Sequence, residues 1–144
     1  MNLSENFTLQ ELTHSDVAVR YDWENNPDAN EINNLTRLAD LLEQVRTLIG
    51  KPVMINSAYR CKQVNDAVGS KDSSQHRIGC AADIRVPNMT PDEVVKAVMA
   101  SDIGYDQIIR EFDRWTHISV PNTAGDNPRR QSLIIDKLGT RPYA

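Results

Sequence analysis

The chain has 144 residues, of which 40% are hydrophobic and 25% are charged, a composition typical of one soluble globular domain. Sixteen basic residues against twenty acidic residues give a net charge of −4, which argues against nucleic acid as the main partner. No apolar run is long enough to cross a membrane, and residues 1–6 lack the features of a secretory signal. We therefore expect a single domain over residues 1–144, made in the cytoplasm as a monomer that does not insert into membranes.

The first half of the chain carries the clearest helix signals. Thr8 and Glu11 form a capping box that predicts a short helix, and a polar surface loop is predicted over residues 20–30. Residues 31–49 predict a long helix ended by Gly50, because their apolar residues recur at helical spacing and form a core-facing stripe. The stripe comprises Ile32, Leu35, Leu38, Leu42, Val45 and Ile49.

The second half of the chain alternates short apolar strands with helices. Strands are predicted over residues 53–55, 80–86, 105–112, 115–120 and 131–136. Helices are predicted over residues 61–68 and onwards from the capping box of Thr90 and Glu93, whereas residues 138–144 read as a tail. This order predicts an α+β fold in which a small, mainly antiparallel sheet is flanked by helices.

Two of the three histidines and one aspartate stand in contexts that suit metal binding. His76 and Asp83 are seven residues apart, and strand alternation places the small Ala81 beside Asp83 with room for an ion. His117 lies in a later strand, whereas His14 has no neighbour at ligand spacing and reads as an exposed polar residue. A catalytic zinc usually has three protein ligands and an open position for water. We therefore interpret His76, Asp83 and His117 as the three ligands of one zinc ion.

A wider pattern surrounds these three residues. It reads Ser74-x-His76-x-x-Gly79-x-Ala81-x-Asp83, followed by Trp115-x-His117. Further matching segments are Phe7-Thr8-Leu9, Ile55-Asn56-Ser57-Ala58-Tyr59-Arg60 and Glu111-Phe112. Together these segments resemble the M15-type family of zinc D-Ala-D-Ala carboxypeptidases and L-alanyl-D-glutamate endopeptidases, in particular its small phage and prophage branch. The resemblance implies the zinc-site fold that this family shares with the Hedgehog signalling domain.

The resemblance also implies catalytic roles beyond the ligands. Arg60 matches an arginine that stabilises substrate or transition-state charge beside the metal, although Ala58 stands where the family usually has glycine. Many members carry the catalytic glutamate three residues before the second histidine, where this chain has Arg114. The phage branch and Hedgehog-like domains carry it six residues before, which selects Glu111 as general base and leaves Asp113 as the second choice. Without the resemblance, Arg60 reads as a salt-bridge residue and Glu111 as a solvent-facing strand residue.

Other polar and sulfur-containing residues near the motif carry weaker signals. Ser74 and Gln75 are predicted to lie near the substrate, although Ser74 could equally cap a turn. Trp115 fits a substrate-contacting wall and ordinary packing equally well. Cys61 and Cys80 lack Cys-x-x-Cys spacing, which argues against a structural zinc site, and a cytoplasmic origin favours free thiols over a disulfide.

The function implied by the resemblance is zinc-dependent hydrolysis of a peptidoglycan stem peptide at a D-Ala-D-Ala or an L-Ala-D-Glu bond. Such a carboxypeptidase or endopeptidase would be a cell-wall-degrading endolysin of a bacteriophage or prophage, released through a holin or carried in the virion. Two other classes stay open at this stage. One is a zinc-containing binding or virion structural module that does not hydrolyse anything, and the other is a metal-free adaptor.

Overall fold

Six strands form one mixed sheet in the computed structural model, which describes residues 1–143. Their order is β1-β2-β4-β3-β5-β6, and β3 pairs with β5 in parallel whereas the other four pairings are antiparallel. The strands are β1 (Met54–Ser57), β2 (Ala81–Arg85), β3 (Gln107–Glu111), β4 (Trp115–Ser119), β5 (Gln131–Asp136) and β6 (Gly139–Pro142). The predicted α+β fold with a mainly antiparallel sheet is therefore confirmed.

The helices begin where the sequence supplies capping groups. They are α1 (Leu9–Thr13), α2 (Asp16–Tyr21), α3 (Ala29–Ile49), α4 (Lys62–Ala67) and α5 (Pro91–Met99), with one 3₁₀ turn (Gln75–Ile78). Thr8, Asp28 and Thr90 each accept a hydrogen bond from the third helical N–H, and the glutamate at that position accepts one in return. None of the helices within residues 1–143 combines the length and the apolar character needed to span a membrane.

The core lies between the sheet and the helices α3 and α5. Leu35, Leu38, Leu42 and Val45 of the predicted α3 stripe are buried, whereas Ile32 and Ile49 near its ends are partly exposed. Helix α5 packs against α3, β3 and β4. Fully buried side chains of this cluster include Leu35, Leu38, Leu42, Val45, Ile84, Val95, Val98, Ile108 and Ile118. Because each such side chain contributes about 1.5–3 kcal/mol when it leaves water, this cluster fixes the strands that carry the functional residues.

Two sequence predictions are wrong at their ends. Residues 139–142 are not a tail but strand β6, which pairs with β5 and is held to it by two hydrogen bonds from Arg141 to Asp136. This strand has no apolar alternation, so the sequence gives no period-2 signal for it; Ala144 lies outside the described residues. The predicted loop over residues 20–30 is shorter than expected. Residues 20–21 belong to the end of α2, and residues 29–30 already belong to α3, because Asp28 caps that helix and starts it two residues earlier than predicted.

Candidate metal centre and adjoining cleft

Asp83 and His117 meet because their strands are neighbours in the middle of the sheet. β2 and β4 pair antiparallel with Asp83 directly opposite His117, a register that places both side chains on the same face. Nδ1 of His117 lies 3.1 Å from Oδ1 of Asp83. The sheet register therefore brings together two residues that are 34 positions apart in the sequence.

His76 reaches the same point from the 3₁₀ turn that precedes β2. The turn begins at Ser74, whose hydroxyl accepts a hydrogen bond from the backbone N–H of His76, and ends at Gly79 with φ +81°. A Cβ at Gly79 would stand 2.8 Å from the carbonyl oxygen of Glu31, so only glycine fits there. Nε2 of His76 consequently lies 3.4 Å from Oδ1 of Asp83.

The ring of His76 is fixed by a backbone acceptor. Its Nδ1 donates a hydrogen bond of 2.7 Å to the carbonyl oxygen of Ala58, which leaves the lone pair of Nε2 facing Asp83. Burial lowers the pKa of His76, so the imidazole stays neutral, which is the form that binds metals. Because the contact uses the backbone of residue 58, alanine in place of the family's usual glycine leaves it intact.

These three side chains fit one divalent cation. One potential ligand atom from each of His76, Asp83 and His117 lies within 4.8 Å of the others, and all three residues are largely buried. Burial acts to raise the pKa of Asp83, but the hydrogen bond with Nδ1 of His117 acts to lower it, and the net shift is downward. Two imidazoles and one carboxylate are the donors that catalytic zinc sites use when a further position stays open.

The cluster opens onto a cleft of about 360 Å³. This cleft is lined by Arg60, Val68, Gly69, Ser70, Ser74, His76, Asp83, Glu111, Trp115 and His117. Every residue predicted for the site except Gln75 is therefore present in the lining. Residues 68–70, which the sequence analysis did not assign to the site, form part of the wall.

The two candidate bases stand in different surroundings. Glu111 ends β3 inside the cleft, and its Oε1 lies 3.9 Å from Nδ1 of His117. Burial, and next the charge of Asp83, raise the pKa of Glu111 above its ordinary value. Asp113 lies in the hairpin turn with a 70% exposed side chain and pairs with Arg110. The geometry places Glu111, and not Asp113, within the cleft.

One buried donor in this cleft, Nε of Arg60, has no acceptor within residues 1–143. The buried indole N–H of Trp115 lies close enough to the carboxylate of Glu111 to act to lower the pKa of that group, although burial raises it overall. The backbone N–H of Arg60 donates to the carbonyl oxygen of His76, which fixes the arginine beside the cluster. Burial lowers the pKa of Arg60, whereas the charges of Asp83 and Glu111 act to raise it. Because buried donors are nearly always paired, Nε of Arg60 marks a position for an acceptor from a ligand.

Gln75 points away from the cleft and into a neighbouring cavity of about 520 Å³ that shares Ser74 and His117 with it. Its amide donates to Oδ2 of Asp106, to the carbonyl oxygen of Val120 and to Oδ1 of Asn122. Gln75 thus ties the turn that carries His76 to the sheet.

Asp106 is the centre of a polar cluster that sequence reasoning missed. Its buried carboxylate accepts hydrogen bonds from Nε, Nη2 and the backbone N–H of Arg129, the shortest of 2.7 Å, in addition to the one from Gln75. Its partners are 23 and 31 residues away in sequence, so no local pattern could have revealed the cluster.

The remaining polar and sulfur-containing candidates lie outside the metal cluster. His14 is exposed and pairs with Asp16, as expected for an ordinary surface histidine. Cys61 and Cys80 are both free thiols, which agrees with the interpretation from sequence. Cys80 is buried just before β2, and Cys61 caps the start of α4 without a side-chain hydrogen bond to that helix.

A buried His-Asp-His cluster that opens beside a carboxylate and an arginine is the arrangement of a mononuclear metal-dependent hydrolase. A family model described as Peptidase M15 matches residues 5–119, and the chain therefore belongs to the M15 peptidases, which depend on zinc. The match includes the three cluster residues, Arg60 and Glu111 and ends with β4, whereas β5 and β6 lie beyond it. No curated protein matches the chain.

Proposed function

We propose that the protein is a zinc metallopeptidase that hydrolyses peptidoglycan stem peptides at a D-Ala-D-Ala or an L-Ala-D-Glu bond. The observation that carries this proposal is the unpartnered buried donor on Arg60, which lies in the same cleft as Glu111 and the His-Asp-His cluster. A peptide carbonyl or carboxylate supplies the acceptor that this donor lacks. The choice of stem peptide comes from the sequence resemblance to M15 enzymes of the cell wall.

The proposed mechanism divides the chemistry between the metal and two side chains, Glu111 and Arg60. His76, Asp83 and His117 would hold the zinc ion, which would supply Lewis-acid chemistry and make water more acidic. Glu111 accepts the proton of the attacking water, and afterwards donates it to the leaving amine. Burial raises the pKa of Glu111, which makes its carboxylate a stronger base for the first step. Arg60 donates hydrogen bonds to the oxygen on which negative charge develops.

Substrate contacts are assigned to the residues around this centre. Trp115 offers its indole N–H and one wall of the cleft, and Ser74 lies where the cleft and the neighbouring cavity meet. Gln75 acts indirectly, since its amide is engaged by Asp106 and two other acceptors. This assignment separates contact residues from a residue that positions the metal-binding turn.

The biological role proposed is degradation of the bacterial cell wall by a phage or prophage. The enzyme would reach its substrate after release through a holin or as a part of the virion. This role is supported by the sequence resemblance to the small phage branch of M15 peptidases.

The decisive experiment is digestion of purified peptidoglycan followed by mass spectrometry of the products. Wild type, Glu111→Gln and a chelated sample are compared, and zinc is added back to the chelated sample. Cleavage that needs zinc and is lost in Glu111→Gln supports the proposal, and the product masses name the bond. Asp113→Asn is the matched control, because this carboxylate is near in sequence but outside the cleft. If folded, zinc-loaded wild type cuts nothing, the protein is a non-catalytic zinc module and the proposal fails.

A further inference from the structure

The turn between β3 and β4 has an unusual residue at its tip. The N–H of Arg114 donates to the carbonyl oxygen of Glu111, and the two residues between them, Phe112 and Asp113, both have φ +53°. A two-residue turn of this hand favours glycine, asparagine or aspartate, since other side chains lose about 1–2 kcal/mol in the left-handed region. Asp113 fits this preference and Phe112 does not.

Core packing does not account for Phe112. Its side chain is 48% exposed, and the ring leans against that of Trp115 with centroids 6.3 Å apart and planes at 46°. An exposed aromatic residue in a strained backbone conformation costs free energy twice, through the strain and through apolar surface left in water. Local structure thus gives no reason for phenylalanine here.

This aromatic pair is continuous with the metal cleft. Phe112, Arg114 and Trp115 line a shallow cavity of about 330 Å³, and Trp115 also lines the cleft. A ligand that occupies the cleft beside Glu111 and extends past Trp115 therefore passes over the ring of Phe112.

The cleft, the shallow cavity at Phe112 and the larger cavity at Gln75 share lining residues and form one groove, and the two ends of this groove differ in chemistry. Beyond Trp115 it offers two aromatic faces and the guanidinium of Arg114. Beyond His117 and Ser74 it offers mainly amides and one exposed carboxylate, from Gln107, Asn122, Asp126 and Asn127. Gln75 and Asp106 also line this end, but they are hydrogen-bonded to each other and to other groups of the protein. Aromatic faces pack against the C–H face of a pyranose ring, with arginine donors near its hydroxyl and acyl oxygens, whereas amide groups pair with a peptide backbone. A peptidoglycan stem has the same polarity, with a sugar at one end and a peptide at the other.

We infer that Phe112 and Trp115 form a subsite for the glycan sugar to which the stem peptide is attached, and that the peptide end extends into the amide-lined cavity. This inference rests on the proposed function. It makes Phe112 a specificity residue that favours stem peptides still linked to glycan over free peptides.

The test uses two substrates with the same peptide, one carrying its disaccharide and one acetylated without sugar. Phe112→Asn is the informative variant, because asparagine suits the turn and the fold is retained while the aromatic face is lost. We expect the ratio of kcat/KM for the glycan-linked over the free substrate to fall about tenfold, as for a loss of about 1.4 kcal/mol. Phe112→Tyr restores the ratio.

Tyr21→Ala is the matched control, since Tyr21 is also an exposed aromatic residue stacked on a tryptophan, Trp23, but lines neither the cleft nor its two adjoining cavities. An unchanged ratio in Phe112→Asn, or a wild type that shows no preference for the glycan-linked substrate, overturns the inference. If wild type cuts neither substrate, the proposed function fails separately. In that case the zinc-loaded protein is titrated with the peptide-free disaccharide and followed by NMR. A shift of the Trp115 indole N–H signal while the Trp23 signal stays in place supports the subsite, and the absence of a shift overturns it.

Discussion

Two polar clusters meet at the turn that carries His76, and they differ in how their hydrogen bonds are completed. In one, the carboxylate of Asp106 accepts hydrogen bonds from Arg129 and Gln75, so that both the acceptor and its donors are paired. In the other, the metal cleft, Nε of Arg60 is buried and has no acceptor within residues 1–143. The two clusters therefore differ in how completely their buried polar groups are paired.

This difference indicates which cluster serves stability and which serves binding. A satisfied buried network stabilises the fold, whereas each unpaired buried donor costs about 1–3 kcal/mol and persists where a ligand completes it. Substitutions in the cleft should therefore lower activity and spare stability, and substitutions at Asp106 should do the reverse. The predictions below test this separation.

The largest expected effect comes from loss of a metal ligand. Replacing Asp83 by Ala removes the carboxylate that lies between the two histidines, so we expect tight zinc binding and all peptidase activity to be lost. Zinc content after dialysis, measured by mass spectrometry, and hydrolysis of stem peptides check this. His14→Ala is the control and should keep its zinc, because His14 is an exposed partner of Asp16. Stoichiometric tight zinc in Asp83→Ala would contradict the assignment of the cluster.

Replacing Glu111 by Gln should lower kcat by about 10²- to 10⁴-fold, the usual contribution of a general base. Zinc binding and the midpoint of thermal unfolding should change little, because the amide has the same shape and Glu111 is not a metal ligand. Rates on a defined stem peptide and zinc content are measured on the same preparation. A rate within threefold of wild type would remove Glu111 from the mechanism.

Replacing Arg60 by Met should lower kcat/KM by about 10²-fold, as for the loss of one donor to a developing oxyanion. The free energy of unfolding should stay constant or rise by up to about 1 kcal/mol, because a buried donor without a partner is removed. Chemical denaturation of the metal-free protein provides that number. A loss of several kcal/mol in unfolding free energy would instead identify Arg60 as a structural salt-bridge residue.

Asp106→Asn should have the opposite profile. The charged partner of Arg129 is lost, so we expect the free energy of unfolding to fall by about 1–3 kcal/mol and the unfolding midpoint by several degrees. The rate per folded molecule should remain within a few-fold of wild type. Asp126→Asn, an exposed carboxylate of the same cavity, is the control and should leave stability unchanged. A stable but inactive Asp106→Asn would show that this cluster belongs to the binding site after all.

The smallest effect is a change in pH dependence. Hydrogen bonds from Arg129 hold the pKa of Asp106 below its usual value, so the ionised group stabilises the fold above the unfolded-state pKa of about 3.9. That stabilisation is lost as the pH falls through the lower folded-state pKa. The difference in unfolding free energy between wild type and Asp106→Asn should therefore shrink below pH 4, as followed by denaturation at several pH values. A constant difference down to pH 2 would contradict the ion pair.

The sequence predicted those parts of the fold whose signals are local. The capping groups Thr8 and Thr90 and the apolar stripe of α3 lie within a few residues of the elements they specify, and both predicted helix starts are correct. Strand β6 was missed because it is polar and is held by pairing with β5, a contact that no local period records.

The residues of the candidate site also divide into those with a recognisable sequence signal and those brought in by long-range contacts. Ligand chemistry restricts residue type and so selected His76, Asp83 and His117, which do lie together, and the family pattern selected Glu111 and Arg60. Asp106 and Arg129 were not found, since a paired Asp and Arg that are 23 residues apart look like any two surface charges. The sequence also could not reveal where Gln75 points, because its neighbour His76 enters the metal cluster while its own side chain turns to Asp106.

The parallel pairing of β5 with β3 has a consequence for biosynthesis and for shortened forms of the protein. β3 carries Glu111, and its outer side is covered by residues that lie beyond the family-matched segment 5–119. Until residues 131–136 leave the ribosome, β3 is paired only with β4, and its other edge is free to pair with another nascent chain. A gene truncated after β4 would keep every proposed catalytic residue and yet expose that edge, so such a product should accumulate as aggregates.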